Sequence, residues 1–480
     1  MEVLGRRDFL KVAGIGGAFL FSGAVSQIVP GSLTAEAAES IKEIKLEAAI
    51  SPITLGGEKS FKAWAYNGKV PGPDIRVKEG EVLRVILKNR LPEETTIHWH
   101  GLPVPNRMDG VPFVTQKPVK PGETFVYEFK ATPPGTYFYH SHFSYQLDQG
   151  LYGSLIVEPR KEERSYDKEF TLLLEDWVTV DGGGPEASKA GRIRPAMGMM
   201  GGMRQRTFEG PLQEPWYDVY TLNGKVFRAA LPLKVKKGDR VRLRVINPSS
   251  STFYTLRIAG HSMTVTHTDG RPVMPVKVDV LHIGMGERYD LELTANNPGR
   301  WLLYNLADGS PVSGWQFGAL VYEGIKSNSF NDDNQRNLQF SDYSLLEGLD
   351  ERVVKPVAGP VDRIFRMVLS GGMMGSPYWT INGRIYPDSE DLTIKRGEKV
   401  RFEYYNRSMM PHPMHLHGHF FEVLGTGRIT GVKVKKDTII IPAGMGQGAV
   451  EFIADNPGVW FHHCHNLYHM GAGMANLVKI

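Results

Sequence analysis

Residues 67–91 read "NGKVPGPDIRVKEGEVLRVILKNRL", and two later stretches follow the same plan: "NGKVFRAALPLKVKKGDRVRLRVINPS" at 223–249 and "NGRIYPDSEDLTIKRGEKVRFEYYNRS" at 382–408. Each opens on Asn-Gly, the dipeptide that suits a tight hairpin turn. Each continues through a short strand to a second glycine turn and ends in a strand that alternates apolar with charged residues. Three versions of one β unit are expected.

The versions stay in step further along. "IHWHGLPV" corresponds to "LRIAGHSM" and "MHLHGHFF", anchored at Gly101, Gly260 and Gly418. "PGTYFYHSH" corresponds to "PGRWLLYNL" and "PGVWFHHCH", anchored at Gly135, Gly299 and Gly458. Short strands between Gly, Pro and Asn turns, with no long stripe of helical period, predict an all-β fold of three Greek-key β-sandwich domains. Their expected limits are roughly 42–160, 165–325 and 340–480.

This correspondence supplies an internal control. The first unit carries His98, His100, His140 and His142, and the last carries His415, His417, His463 and His465; the middle unit has Arg257, Ala259, Tyr304 and Leu306 at the same places. A sandwich that folds without the histidines does not need them for folding.

Composition narrows the function. Lys+Arg number 56 and Asp+Glu 52, so the formal charge of +4 gives no basic patch for nucleic acid. At the N-terminus, Arg6-Arg7 and Phe9-Leu10-Lys11 precede an apolar, glycine-containing run from Val12 to Val29, and Ala35-Glu36-Ala37 offers a small-residue cleavage site. Residues 1–37 therefore resemble a twin-arginine signal peptide rather than a membrane anchor, since the run is short and Gly-rich. The twin-arginine machinery would export the chain to the periplasm or exterior. No later segment is long and apolar enough to span a membrane, and a soluble monomer is expected.

Exported chains usually use cysteines in disulfides, yet Cys464 is the only cysteine in 480 residues. A buried inert thiol is the commoner fate of a lone cysteine; His463, His465 and His469 beside it argue for another. Ten of the 15 histidines fall into four groups: His98 and His100; His140 and His142; His412, His415 and His417; His463, His465 and His469. Strand residues two apart share a face, so each His-x-His pair projects two imidazoles together. If the first and last domains face each other, eight imidazoles converge, enough for several metal ions. Cys464, His412, His469 and Met474 form a separate set, a thiolate with two imidazoles and a weak thioether, which is the donor set of a blue-copper site. Structural zinc sites use more thiolates and no methionine. Cys464 would bind one copper while its neighbours, on the opposite face, bind the cluster.

The motifs "HWHG", "HSH", "HPMHLH" and "HCHNLYHMGAGM", in this order, resemble those of the three-domain multicopper oxidases, which include bacterial laccases and cuprous oxidases. The resemblance covers the chain from about residue 42 onward, implies cupredoxin-like domains and implies four copper ions. Carried across residue by residue, it implies that His412, Cys464 and His469 bind type 1 copper with Met474 axial. His98 and His415 would bind type 2 copper. His100, His140, His142, His417, His463 and His465 would bind the type 3 pair. The reaction implied is one-electron oxidation of a small reductant coupled to reduction of O2 to water. Asp109 matches the acid that relatives use for proton supply, though taken alone it reads as an Asp-Gly turn residue.

Two departures stand out. Many bacterial members carry an acid after the last type 1 histidine, where this chain has Met470, and Ser408 stands where cuprous oxidases tend to have aspartate. Soft thioethers suit Cu(I), so Met197, Met199, Met200, Met203, Met373, Met374 and Met410 are candidate substrate contacts; adaptable Met/Gly loops are the plainer reading. The expected function is oxidation of Cu(I) or other metal ions, and of phenols or aromatic amines, with O2 as acceptor. The alternatives are a laccase restricted to organic substrates and a non-catalytic copper-binding protein.

Overall fold

The computed structural model describes residues 40–480 except 58–59, 180–213, 216, 307–314, 332, 334–336, 347–358, 373–376 and 428. The signal-like segment and Met197, Met199, Met200, Met203, Met373 and Met374 lie outside the described residues.

The three Asn-Gly turns have one backbone. Asn67, Asn223 and Asn382 have φ of 53°, 52° and 54°, and the glycines that follow 69°, 71° and 75°. Asn and Gly tolerate this left-handed region best. Each Asn side chain also brackets the turn to a neighbouring strand. Its Oδ1 accepts from the main-chain N–H of Glu47, Leu173 or Val368, and its Nδ2 donates to the carbonyl of Lys45, Thr171 or Arg366.

The first domain comprises two four-stranded sheets; the middle and last each comprise a six-stranded and a five-stranded sheet. Crossovers give the Greek-key pattern: Ile41–Ile53 runs parallel to Val82–Asn89, and Ile75–Lys78 parallel to Tyr152–Glu158. Alternation works as expected in Val82–Asn89, where Leu83, Val85 and Leu87 are buried and the intervening residues half-exposed. It fails in Arg240–Ile246. Arg242 and Arg244 are buried there because both guanidiniums reach Asp290, at 2.8 and 3.1 Å, which also accepts from Thr136 of the first domain. The charged positions of this strand form an interdomain ion network.

One apolar core fills the first domain around Val85, Trp99 and Tyr127, and another runs through the middle and last domains. A third cluster, including Ile53, Trp177, Phe461 and Met470, joins all three at their junction. No helix among the described residues is long and apolar enough to cross a membrane.

Candidate metal centre

Pairing register brings the histidines together. His98 lies opposite His140 and His415 opposite His463, at the place where the middle domain pairs Arg257 with Tyr304. The first and last domains then meet ring on ring. His98 stacks on His417 with centroids 3.8 Å apart, and His100 on His415 at 3.9 Å.

Hydrogen bonds fix which nitrogen is free in five of these rings. A carbonyl can only accept, so Nδ1 carries the proton in His98 (to Asp109 O, 2.8 Å), His140 (to Ser141 O, 2.9 Å), His415 (to Asp437 O, 2.8 Å) and His463 (to Cys464 O, 2.9 Å). His417 Nδ1 donates to Asp109 Oδ2 at 2.9 Å. The other nitrogen of each ring is left with a lone pair. In His98, His140, His142 and His415 that atom, Nε2, is buried without a hydrogen-bond partner; in His100 it is Nδ1, and in His465 both nitrogens. His100 is inverted because its Nε2 faces Asp437 Oδ1 at 3.3 Å.

The decisive contact is between His417 and His463, whose Nε2 atoms are 3.0 Å apart. With both Nδ1 positions protonated, two lone pairs face each other, an arrangement that suits a shared cation. Five groups of donor atoms come within 4.8 Å: His98/His100/His415, His100/His140/His465, His142/His417/His463, His412/Cys464/His469, and His98/Asp109/His417. Burial, reinforced by neighbouring imidazoles, holds His100, His140, His142, His417, His463 and His465 well below the usual histidine range. They are neutral at pH 7, the form that ligates metal.

The fourth group stands apart. Cys464 Sγ is 3.6 Å from Nδ1 of both His412 and His469, and those nitrogens are 3.1 Å from each other. Burial pushes His412 down to about 3 and raises the Cys464 thiol. The short helix Leu467–Gly471, capped by the Asn466 side chain, holds His469. Met474 is fully buried, with its carbonyl accepting from Cys464 N at 3.0 Å and its N–H donating to His469 O at 2.9 Å. Orphaned lone pairs beside two imidazoles, a thiol and a nearby thioether fit copper by donor chemistry.

Asp109 is fully buried between His98 and His417. Met470 lies in the apolar junction of the three domains. Ser408 Oγ meets His412 Nε2 at 2.8 Å, and Met410 is 40% exposed on the same loop. Several site residues carried no motif. Trp379 packs its ring 3.8 Å from that of His469. Met445, 70% exposed, sits on a loop whose Gly444 N–H donates to Ser408 O. Asp437 joins His100 to His415. Only the repeat-like match of "GMGE" to "GMGQ" could have drawn attention to the loops that carry Arg288 and Met445.

The fold is that of three cupredoxin-like domains, and comparison with known proteins completes the assignment. Profiles of the multicopper oxidase family match residues 48–162, 168–324 and 361–480. The multicopper oxidase MmcO of Mycobacterium tuberculosis is 35% identical, covering 98% of this chain and 95% of its own. Copper resistance protein A of Escherichia coli is 26% identical over 99% of both chains. Among solved structures, the multi-copper oxidase of Pseudomonas thermotolerans superposes with a TM-score of 0.70 at 29% identity, over 92% of this chain and all of that one. Fet3p shares the fold with a TM-score of 0.77 at 22% identity, over 92% and 90%. This chain belongs to the multicopper oxidase family. It is an oxidoreductase with O2 as electron acceptor.

Proposed function

We propose that His412, Cys464 and His469 would hold a type 1 copper, with Met474 as a further, weak ligand, and that eight histidines would hold three more ions. His98 and His415 are assigned to type 2 copper. His100, His140 and His465 are assigned to one ion of the type 3 pair, and His142, His417 and His463 to the other. The facing Nε2 atoms of His417 and His463 carry this reading. Bound copper would supply one-electron redox chemistry and the site of four-electron O2 reduction.

The chain's own residues do the rest. Cys464 connects the two groups covalently, since His463 and His465 flank it. His412 presents Nε2 to Ser408, on the loop that bears Met409 and Met410, 76% and 40% exposed, and Ser408 O accepts from Gly444 N on the neighbouring loop that bears Met445, 70% exposed. Three exposed thioethers beside that edge support Cu(I), or another oxidisable metal ion, as reductant, with phenols and aromatic amines as further substrates. The relatives named copper resistance protein agree with that choice. Asp109 is assigned to proton supply: its Oδ2 accepts from His417, while Oδ1, without a hydrogen-bond partner, lies 3.2 Å from His98 Nδ1. We further propose a leader at 1–37 read by the twin-arginine machinery, a periplasmic or extracellular monomer, and three repeated domains at about 42–160, 165–325 and 340–480.

The test is reconstitution of the mature chain with copper, with O2 uptake followed on Cu(I) and on a phenol in parallel. A blue thiolate band with faster uptake on Cu(I), reduced when Met410 and Met445 are replaced by Leu, supports the metal-oxidase reading. Faster phenol turnover that ignores those replacements makes the protein a laccase. A blue protein that consumes no O2 leaves only copper binding.

A further inference from the structure

None of the copper ligands assigned above lies in the middle domain, yet it forms one wall of the histidine cluster. Its Gly286 is so close that a Cβ there would meet His465 Cδ2 at 2.9 Å and His100 Cε1 at 3.1 Å. Two residues on, Arg288 is fully buried and spends its donors on all three domains. Nε donates to Thr136 O at 3.2 Å in the first, Nη1 to Gly286 O at 2.9 Å in its own, and Nη1 and Nη2 to the Asp437 carboxylate at 2.8 and 2.6 Å in the last.

Asp437 in turn touches two rings. Its carbonyl accepts from His415 Nδ1 at 2.8 Å, and its Oδ1 lies 3.3 Å from His100 Nε2. Thr438 Oγ1 donates to the same Oδ1 at 2.9 Å. Gly101, next to His100, completes the fit: a Cβ there would collide with Arg288 Nη2 and lie 2.6 Å from Asp437 Oδ2.

We propose that Arg288 is a positioning residue for the copper cluster: by clamping Asp437 it fixes the orientation and free nitrogen of His415, from the type 2 site, and of His100, from the type 3 pair. The inference rests on the ligand assignment above. It gives the middle domain a task, which is to supply a forked, permanently charged group that locks ligands of the other two domains in register. The fork matters because its two parallel bonds hold the carboxylate plane, and that plane sets which nitrogen of His100 stays free. A lysine would supply the charge without the plane. Outer partners of ligating histidines act in this way, by fixing tautomer and ring orientation.

The experiment uses the full copper-loaded protein and its R288M, R288K and R242M variants, read by copper content, the blue band and the electron paramagnetic resonance signal of type 2 copper. R288M is expected to keep the blue band of Cys464 while losing type 2 copper. R288K is expected to retain copper with a shifted type 2 hyperfine splitting. R242M breaks a different buried ion pair of the middle domain, with Asp290, and is expected to leave that signal unchanged. A wild-type splitting and copper content in R288M overturns the proposal; should R288M fail to fold, an unchanged splitting in R288K does so. The same shift in R242M also overturns it, by showing a general loosening. If the wild-type protein itself binds no type 2 copper, the ligand assignment has failed first.

Discussion

Nε2 of His417 and Nε2 of His463 lie 3.0 Å apart, in a place where neither ring has a proton to share. His417 gives its proton to Asp109 and His463 gives its own to a main-chain carbonyl. Without a cation this is a buried electrostatic cost; with one it is a binding site. Copper removal should therefore lower stability. Because metal that binds only the folded state adds about 4 kcal/mol per site at a thousandfold excess over Kd, the chelated protein is expected to unfold several degrees below the loaded one. Calorimetry with and without a copper chelator checks this, and equal melting temperatures would count against the site.

Asp109→Asn keeps the volume but removes the charge that accepts from His417 Nδ1. Loss of such an outer partner costs roughly 10- to 100-fold. O2 uptake is expected to fall by that factor while the blue band of the Cys464 group, which Asp109 does not touch, stays unchanged. Loss of both together would indicate misfolding instead.

Gly286→Ala tests the wall of the cluster. With φ at +83° the position is left-handed, so any side chain costs on the order of 1–2 kcal/mol; its Cβ would also press on His465 and His100. The expected result is a modest loss of thermal stability with a larger loss of cluster copper, the blue band being retained. Copper analysis beside the visible spectrum separates the two.

Glu175 governs a pH effect away from the ligands. Burial pushes it up to about 8, against the hydrogen bonds from Thr221 and Gly224 that favour its charge. The unfolded chain releases this proton near the ordinary glutamate value and the folded chain only near 8. The stability it contributes is therefore fully present at low pH and declines as pH rises through that window. Glu175→Gln should flatten the slope and stabilise the protein at pH 8 by a few kcal/mol, since each pH step across the window costs about 1.4 kcal/mol. Denaturant unfolding of the copper-free protein at pH 5 and pH 8 decides it; an unchanged slope would show that Glu175 is ionised in the fold.

How much of this was legible in the sequence follows from the range of each rule. Asn67, Asn223 and Asn382 announced their turns because a left-handed backbone is a local demand. The His-x-His pairs announced themselves because a strand has period two. Local rules said nothing of Arg288, Asp437 or Gly286, which act across domain boundaries. They said nothing either of the burial of Arg242 and Arg244 against Asp290. Trp379 beside His469 and Met445 beside Ser408 are contacts between segments distant in the chain, and neither residue belongs to a motif. The division of the six type 3 histidines between two ions was likewise hidden, since it depends on how the first and last domains meet.

Above all, one thiol group and eight clustered histidines are proposed to work as a unit on O2. The most direct measurement is the ratio of O2 consumed to one-electron reductant oxidised by the copper-loaded protein, with peroxide assayed in the same sample. Four reductant equivalents per O2 and no free peroxide are expected, with activity abolished in Cys464→Ser. A ratio of two with peroxide accumulating, or turnover that survives the loss of Cys464, would contradict it.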